Sequence, residues 1–359
     1  MTAWVEVDLA ALRHNLGQVR SIIGPATLLC AVVKGNAYGH GAVSAAQAFV
    51  AAGADWLGVT TVDEAVELRE AGLRVPILLL ASHAPDEAEA VAELGLVPFV
   101  SAAEAAQTLA AAARALDATQ DVHLLLDCGM GRDGAPPETV SQLAEQVRRD
   151  PNLRLAGLAT HFPQATSPNR AITLAQFRRF EGLANLVGAD VLRHCANSAA
   201  CLDLPETRLD MVRVGTLLYG QYPAPHLAGP LELRPTWRLK ARLVEVRRLR
   251  AGSTIGYGSE VKLARETRVG TMLLGWQQGL TLEPASVWRG ARGLRRWLRR
   301  EQPSVTVNGH RCPLLGRVSM QSCAIDLTNA PEAVVGSEVE VSARRVTVDR
   351  ALPRILRDE

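Results

Sequence analysis

Short apolar runs recur at 31–33, 56–59, 77–80, 97–100, 123–126, 155–159, 191–193 and 211–214, separated by alanine- and glutamate-rich stretches such as 63–71 and 101–116. Runs this short, often preceded by glycine (Gly53, Gly72, Gly95), read as buried strands. The stretches between most of them read as helices. Strand and helix alternating eight times close naturally into a parallel barrel. A doubly wound open sheet is the rival, but no G-x-G-x-x-G turn follows the first strand. The pattern predicts an α/β chain whose first domain, 9–225, is an eight-stranded (β/α)8 TIM barrel.

After Gly220 the register changes. Tyr222-Pro223-Ala224-Pro225 and Gly229-Pro230 mark a linker, and strands then dominate at 239–249, 268–274, 304–307, 311–315, 322–327 and 338–342. Asn308-Gly309 supplies the positive φ that a two-residue hairpin turn needs. Residues 226–359 are therefore expected to form a smaller all-β domain. The alternating segment at 3–8 is expected to join it, since the barrel has eight strands without it. A helix is expected over 8–22, with Asp8 as N-cap.

In a (β/α)8 barrel the chemistry sits where the strands end. Following each strand gives Lys34, Thr60-Thr61, Ser82-His83, Ser101, Asp127 with Arg132, Thr160-His161, His194 with Asn197-Ser198, and Arg213 with Gly215. Strand ends are commonly polar, which accounts for the serines and threonines but less well for His161, His194 and Arg213. Lys34 stands out by composition. Of 39 Lys plus Arg only three are lysine, at 34, 240 and 262. Arginine stays charged, whereas a desolvated lysine can be neutral and nucleophilic. A lysine snorkelling to solvent would explain the position alone. The loop after it, with Gly35, Gly39, Gly41 and the Tyr38 hydroxyl, suits close approach to a ligand.

The bulk numbers exclude little else. A net charge of +2 argues neither for nor against nucleic acid. Six cysteines at 30, 128, 195, 201, 312 and 323 show no C-x-x-C spacing and read as reduced thiols, not as a zinc or disulfide framework. No apolar run reaches membrane-spanning length, and the first residues carry Glu6 and Asp8 where a signal peptide needs cations. A cytoplasmic protein that holds no metal and binds neither membrane nor nucleic acid is expected.

The run Ala31-Val32-Val33-Lys34-Gly35-Asn36-Ala37-Tyr38-Gly39-His40-Gly41 resembles the pyridoxal-phosphate lysine motif of the alanine racemase family. The runs His194 to Ala200, Asp210 to Gly220, Gly256-Tyr257-Gly258 and Gly316 to Met320 resemble further motifs of that family, in family order. The resemblance implies a fold-type III enzyme that interconverts L- and D-alanine by a two-base mechanism and supplies D-alanine for peptidoglycan. It implies that Lys34 carries pyridoxal 5'-phosphate and is one base, with Tyr257 as the other. It further implies that Arg213 faces the pyridine nitrogen and that His161 links the tyrosine to that arginine. Arg132 would face the cofactor's phenolate and the substrate carboxylate. Tyr38, Asn197, Ser198, Gly215 and Thr216 would bind the cofactor, and Met320 would border the substrate. A lysine and a tyrosine from different domains imply a homodimer in which each site is completed by the other subunit's Tyr257.

The chain also departs from the family pattern. Leu125 stands where many relatives have a carbamylated lysine that orients the arginine matching Arg132. Thr166 and Gln321 replace entryway aspartates, and Gly275-Trp276-Gln277-Gln278-Gly279 replaces Gly-Tyr-Ala-Asp-Gly. No tyrosine follows Tyr257, although the family's tail carries one. These changes leave open a racemase of broader specificity, or a degenerate cofactor-binding relative. Between 288 and 300, Trp288 and Trp297 are interleaved with six arginines. This run is read as a solvated surface helix and not as a nucleic-acid contact.

Overall fold

The computed structural model describes residues 1–188, 190–280 and 303–358. The 288–300 run lies outside them. The chain divides into two compact units, Leu9–Thr236 and Met1–Asp8 with Trp237–Glu359.

The first unit is an eight-stranded parallel barrel, nearly closed. Its strands are β2 (Leu28–Val32), β3 (Trp56–Val59), β4 (Ile77–Leu79), β5 (Leu96–Val100), β6 (Gln120–Leu125), β7 (Leu153–Ala159), β8 (Leu192–His194) and β9 (Met211–Val214). They pair in the order β8-β7-β6-β5-β4-β3-β2-β9. The remaining seam is bridged near the strand starts. The Asp210 amide donates to the Arg193 carbonyl at 3.1 Å, and the Arg193 amide donates to Asp210 Oδ2 at 2.7 Å. Helices cover the outside because their apolar residues fall on one stripe. Val140–Arg149 buries Val140, Leu143, Ala144 and Val147, spaced i, i+3, i+4 and i+7. The barrel interior packs Cys30, Leu78, Val97, Phe99, Leu125, Ala159 and Met211, which fixes the ends of the strands that carry them.

The second unit is mostly antiparallel. A ladder runs β13 (Thr267–Met272), β16 (Cys323–Asp326), β15 (His310–Leu315), β14 (Ser304–Val307), β17 (Glu338–Val341) and β10 (Trp237–Leu249). The far half of β10 pairs back onto β13, so these six strands close a ring. A register shift between Leu243 and Glu245 lets one long strand serve both neighbours. β14 and β15 turn through Asn308 and Gly309, at φ 50° and 80°. β1 (Ala3–Asp8) adds antiparallel to β10, and β18 (Arg354–Arg357) adds parallel to β1. All six cysteines are free and buried. Among the described residues, no helix is long and apolar enough to cross a membrane, and no cluster of three or more His, Cys, Asp or Glu could hold a metal.

Candidate functional site

At the exit of β2 the chain does something L-residues resist. Gly35, Asn36, Ala37 and Tyr38 take φ of 62°, 54°, 51° and 55°, a left-handed turn. Only the first is glycine, so Ala37 and Tyr38 hold strained backbone. Several contacts over-determine it. The Gly35 amide donates to Glu64 Oε1 at 2.6 Å, and the Ala42 amide donates to Asn36 Oδ1 at 2.8 Å. Glu64 closes a capping box with Thr61 on the helix Val62–Glu70, so one carboxylate ties two barrel loops. The turn thus presents Lys34 and Tyr38 together.

Both line a cavity of about 260 Å³. Its wall also includes Leu125, Arg132, Asp133, His161, Thr166 and Arg213, and Asn197, Ser198, Gly215 and Thr216. The barrel residues that the family resemblance singles out therefore fall in one place, whereas Thr60, Thr61, Ser82, His83, Ser101, Asp127, Thr160 and His194 do not line the cavity. Desolvation and the Arg132 charge hold the Lys34 ammonium below its ordinary pKa, against the opposing pull of Glu64 and Asp133.

One side of the cavity is a cradle. The Gly215 amide donates to Ser198 Oγ at 3.1 Å. A Cβ at Gly215 would lie 2.4 Å from the Tyr38 hydroxyl, so only glycine fits. Tyr219 stacks on Tyr38 with ring centroids 4.7 Å apart and donates its hydroxyl to the Val32 carbonyl at 3.0 Å. Asn197 caps the helix that starts at Ser198. Its Oδ1 accepts from the amides of Ala199 and Ala200, and its Nδ2 donates to the Phe162 carbonyl. Its polar atoms are committed to shaping the cradle.

Another side is a buried guanidinium. Arg213 has no carboxylate partner among the described residues. It donates to the Thr160 carbonyl at 2.8 Å, to the His194 carbonyl at 3.1 Å, to His194 Nδ1 at 2.7 Å and to His161 Nδ1 at 3.4 Å. A guanidinium only donates, so both imidazoles accept at Nδ1 and carry their proton on Nε2. His194 Nε2 then donates to His123 Nδ1 at 2.9 Å. His123 sits where the β6–β7 register shifts, and Gly157 opposite it leaves space: a Cβ there would be 2.7 Å from the ring. Burial, with Arg213, Arg132 and Lys34 adding, pushes His161 down to about 3. Burial pushes His123 down to about 3 also, and His194 well below its ordinary value. All three are neutral at ordinary pH.

In the second unit Tyr257 lies between β11 (Thr254–Ile255) and β12 (Val261–Lys262) and is 75% exposed. Arg317 pairs with Glu260, and a Cβ at Gly316 would meet the Ile255 carbonyl at 3.0 Å. The Gly316–Met320 loop therefore packs on the tyrosine's hairpin. The Gln277 amide donates to the Met320 carbonyl at 3.0 Å, which places Trp276 beside Met320. Trp276 and Met320 are half exposed. Sequence reasoning had passed over Glu64, Asp133 and His123. Only Glu64 carried a readable signal, the Thr61-x-x-Glu64 box.

Two family profiles match the chain: alanine racemase N-terminal domain over residues 7–223, and alanine racemase C-terminal domain over residues 236–354. An alanine racemase of Desulfovibrio desulfuricans is 40% identical over 340 residues, 94% of this chain and 88% of that protein. One from Synechocystis is 38% identical over 356 residues, 97% of this chain and 92% of that protein. Among solved structures, the alanine racemase of Clostridium difficile 630 superposes with a TM-score of 0.92 at 26% identity, covering 100% of this chain and 96% of that one. The biosynthetic alanine racemase of Pseudomonas aeruginosa gives 0.82 at 32% identity, covering 99% of each chain.

Proposed function

Since the chain belongs to the alanine racemase family and is an amino-acid isomerase, we propose that it racemises alanine in the barrel cavity, with Lys34 and Tyr257 as its two bases and pyridoxal 5'-phosphate as its cofactor. The residues present fit that group. The cavity offers one amine of depressed pKa, a cradle of hydroxyls and amides at Tyr38, Ser198, Gly215 and Thr216, and a buried guanidinium without an acid. When bound, the cofactor supplies an electron-withdrawing ring that stabilises negative charge at the substrate Cα.

The chain's own residues do the rest. Lys34 Nζ removes or returns the Cα proton on one face, and desolvation, by lowering its pKa, leaves the neutral amine more accessible than in an ordinary lysine. The Tyr257 hydroxyl serves the other face. Its exposure within its own unit supports a role completed by a second copy of the chain. Arg213 would face the pyridine nitrogen. It does not surrender a proton, so that nitrogen stays unprotonated and proton return to Cα is favoured over side reactions. Neutral His161, accepting from Arg213 at Nδ1, keeps Nε2–H available to a phenolate. Arg132 binds the substrate carboxylate.

The observation that carries this reading is the depressed amine of Lys34 set beside the cradle. Borohydride treatment of the cofactor-loaded protein should fix a pyridoxyl group on the Lys34 peptide. A label on Lys240 or Lys262 instead would overturn the assignment.

A further inference from the structure

Arg132 sits on a loop pinned at both ends. The Asp127 amide donates to the Ala135 carbonyl at 3.0 Å, and the Ala135 amide donates to the Leu125 carbonyl at 2.7 Å. Inside the loop, Asp127 Oδ1 accepts from the amides of Gly129, Met130 and Gly131 at 2.8, 2.8 and 3.2 Å. A Cβ at Gly134 would meet the Asp127 amide nitrogen at 2.8 Å, so the chain crosses tightly there. The backbone under residues 132 and 133 is thereby fixed.

The side chain of Arg132 is a different matter: it is 58% exposed and long, and the cavity wall it shares includes apolar Leu125, which offers it no acceptor. Its Nε donates to Asp133 Oδ1 at 2.7 Å. The Asp133 carboxylate is only 18% exposed and is, among the described residues, the one acid in the wall of a cavity that also includes Lys34, Arg132 and Arg213. Nη1 and Nη2 of Arg132 make no hydrogen bond among the described residues. Using the Nε edge leaves the two terminal nitrogens as a pre-set fork, the geometry that takes a carboxylate.

We infer that Asp133 is a positioning residue: it clamps the Nε edge of Arg132 so that the Nη fork faces the substrate carboxylate, doing in this chain what Leu125 cannot. The inference rests on the carboxylate role assigned to Arg132 above. An exposed ion pair between neighbours adds little to stability. Its effect lies in the rotamer freedom it removes from the arginine before the substrate arrives.

Charge and orientation have opposite signs here, which makes the test sharp. A carboxylate beside a binding arginine repels an anion, so removing Asp133 would tighten anion binding if charge were all it supplied. If it orients the fork, removal weakens binding. The probe is propionate, a carboxylate of the substrate's length without the amine, titrated calorimetrically into cofactor-loaded protein. Asp133→Ala should raise its Kd about fivefold, and Asp133→Asn, which keeps an oxygen for Nε–H, by only about twofold. In turnover, Asp133→Ala should raise KM for alanine and leave kcat within about twofold. An unchanged or tighter Kd in Asp133→Ala, alongside weakened binding in Arg132→Gln, overturns the inference alone. An unchanged Kd in Arg132→Gln overturns both it and the carboxylate role of Arg132. A thermal midpoint that falls in Asp133→Ala while both KM and Kd stay put reduces the pair to a loop staple and likewise overturns it.

Discussion

In the barrel unit Arg213 is 4% exposed and makes hydrogen bonds from both terminal nitrogens, and Lys34 rides on a turn held by Glu64 and Asn36. In the β unit Tyr257 is 75% exposed and Met320 is 53% exposed. One set of candidate residues is pre-organised by its own fold. The other is displayed on loops that pack on one another and leave the side chains uncovered. Burial costs the barrel set strain and desolvation, which persist only where the surroundings over-determine them. The exposed set carries no such cost, and its side chains can meet a surface outside their own unit.

The largest expected effect separates the two regions. Tyr257→Phe should lower racemisation in both directions by about a thousandfold, since a positioned acid–base group contributes of that order. It should leave the cofactor bound and the thermal midpoint unchanged, because the side chain packs little within its own unit. Lys34 remains labelled by borohydride in that variant. Unimpaired turnover would end the two-base reading and make the exposure of Tyr257 incidental.

A smaller effect belongs to the barrel alone. His123 and His161 are held down to about 3, so in the folded chain they stay neutral where an unfolded chain would bind protons. For a depressed histidine, the stability is fully present above the unfolded value near 6.5. It is lost as pH falls from there toward 3. At about pH 5 each should cost about 2 kcal/mol relative to neutral pH. The single histidine of the β unit, His310, is exposed. Hydrogen exchange followed by peptide mass at neutral pH and at about pH 5 should therefore show barrel strands losing protection first. Equal loss in both units, or earlier loss in β10 and β13, would break the contrast.

The two regions also differed in how far the sequence disclosed them. The barrel strands were legible because runs such as 77–80 and 97–100 are buried on both faces, which admits almost no polar residue. The left-handed turn was not. Gly35 and Asn36 each tolerate positive φ, but nothing in Ala37 or Tyr38 hints at it, and the turn exists because Glu64 and Asn36 hold it. His123 read as one more strand residue, since its partner His194 lies 71 positions on. β18 was missed because Pro353 and two arginines disguise a short strand whose partner, β1, lies at the opposite end of the chain. Asp133 was invisible as an orienter until its carboxylate was seen on Arg132.

The smallest expected effect tests whether the exposed side of the site is as permissive as it looks. Thr166 lines the cavity with a hydroxyl where an acid is usual in the family, and Trp276 beside Met320 is half exposed. The chain after Tyr257 contains no tyrosine, and its last strand, β18, offers Arg354, Ile355, Leu356 and Arg357. The family resemblance implies that the tail tyrosine narrows the pocket and gives its hydroxyl to the cofactor phosphate, and one missing hydroxyl lowers phosphate affinity by about 1 kcal/mol, a several-fold weakening. A pocket without that hydroxyl rejects an added methylene poorly, because a methylene is worth only about 1 to 3 kcal/mol of discrimination. The kcat/KM for serine and for 2-aminobutyrate should therefore fall within about tenfold of that for alanine. Cofactor should also leak slowly on dialysis, read as loss of its visible absorbance. Strict exclusion of both competitors with full cofactor retention would show instead that other side chains narrow the pocket as tightly as the missing groups would.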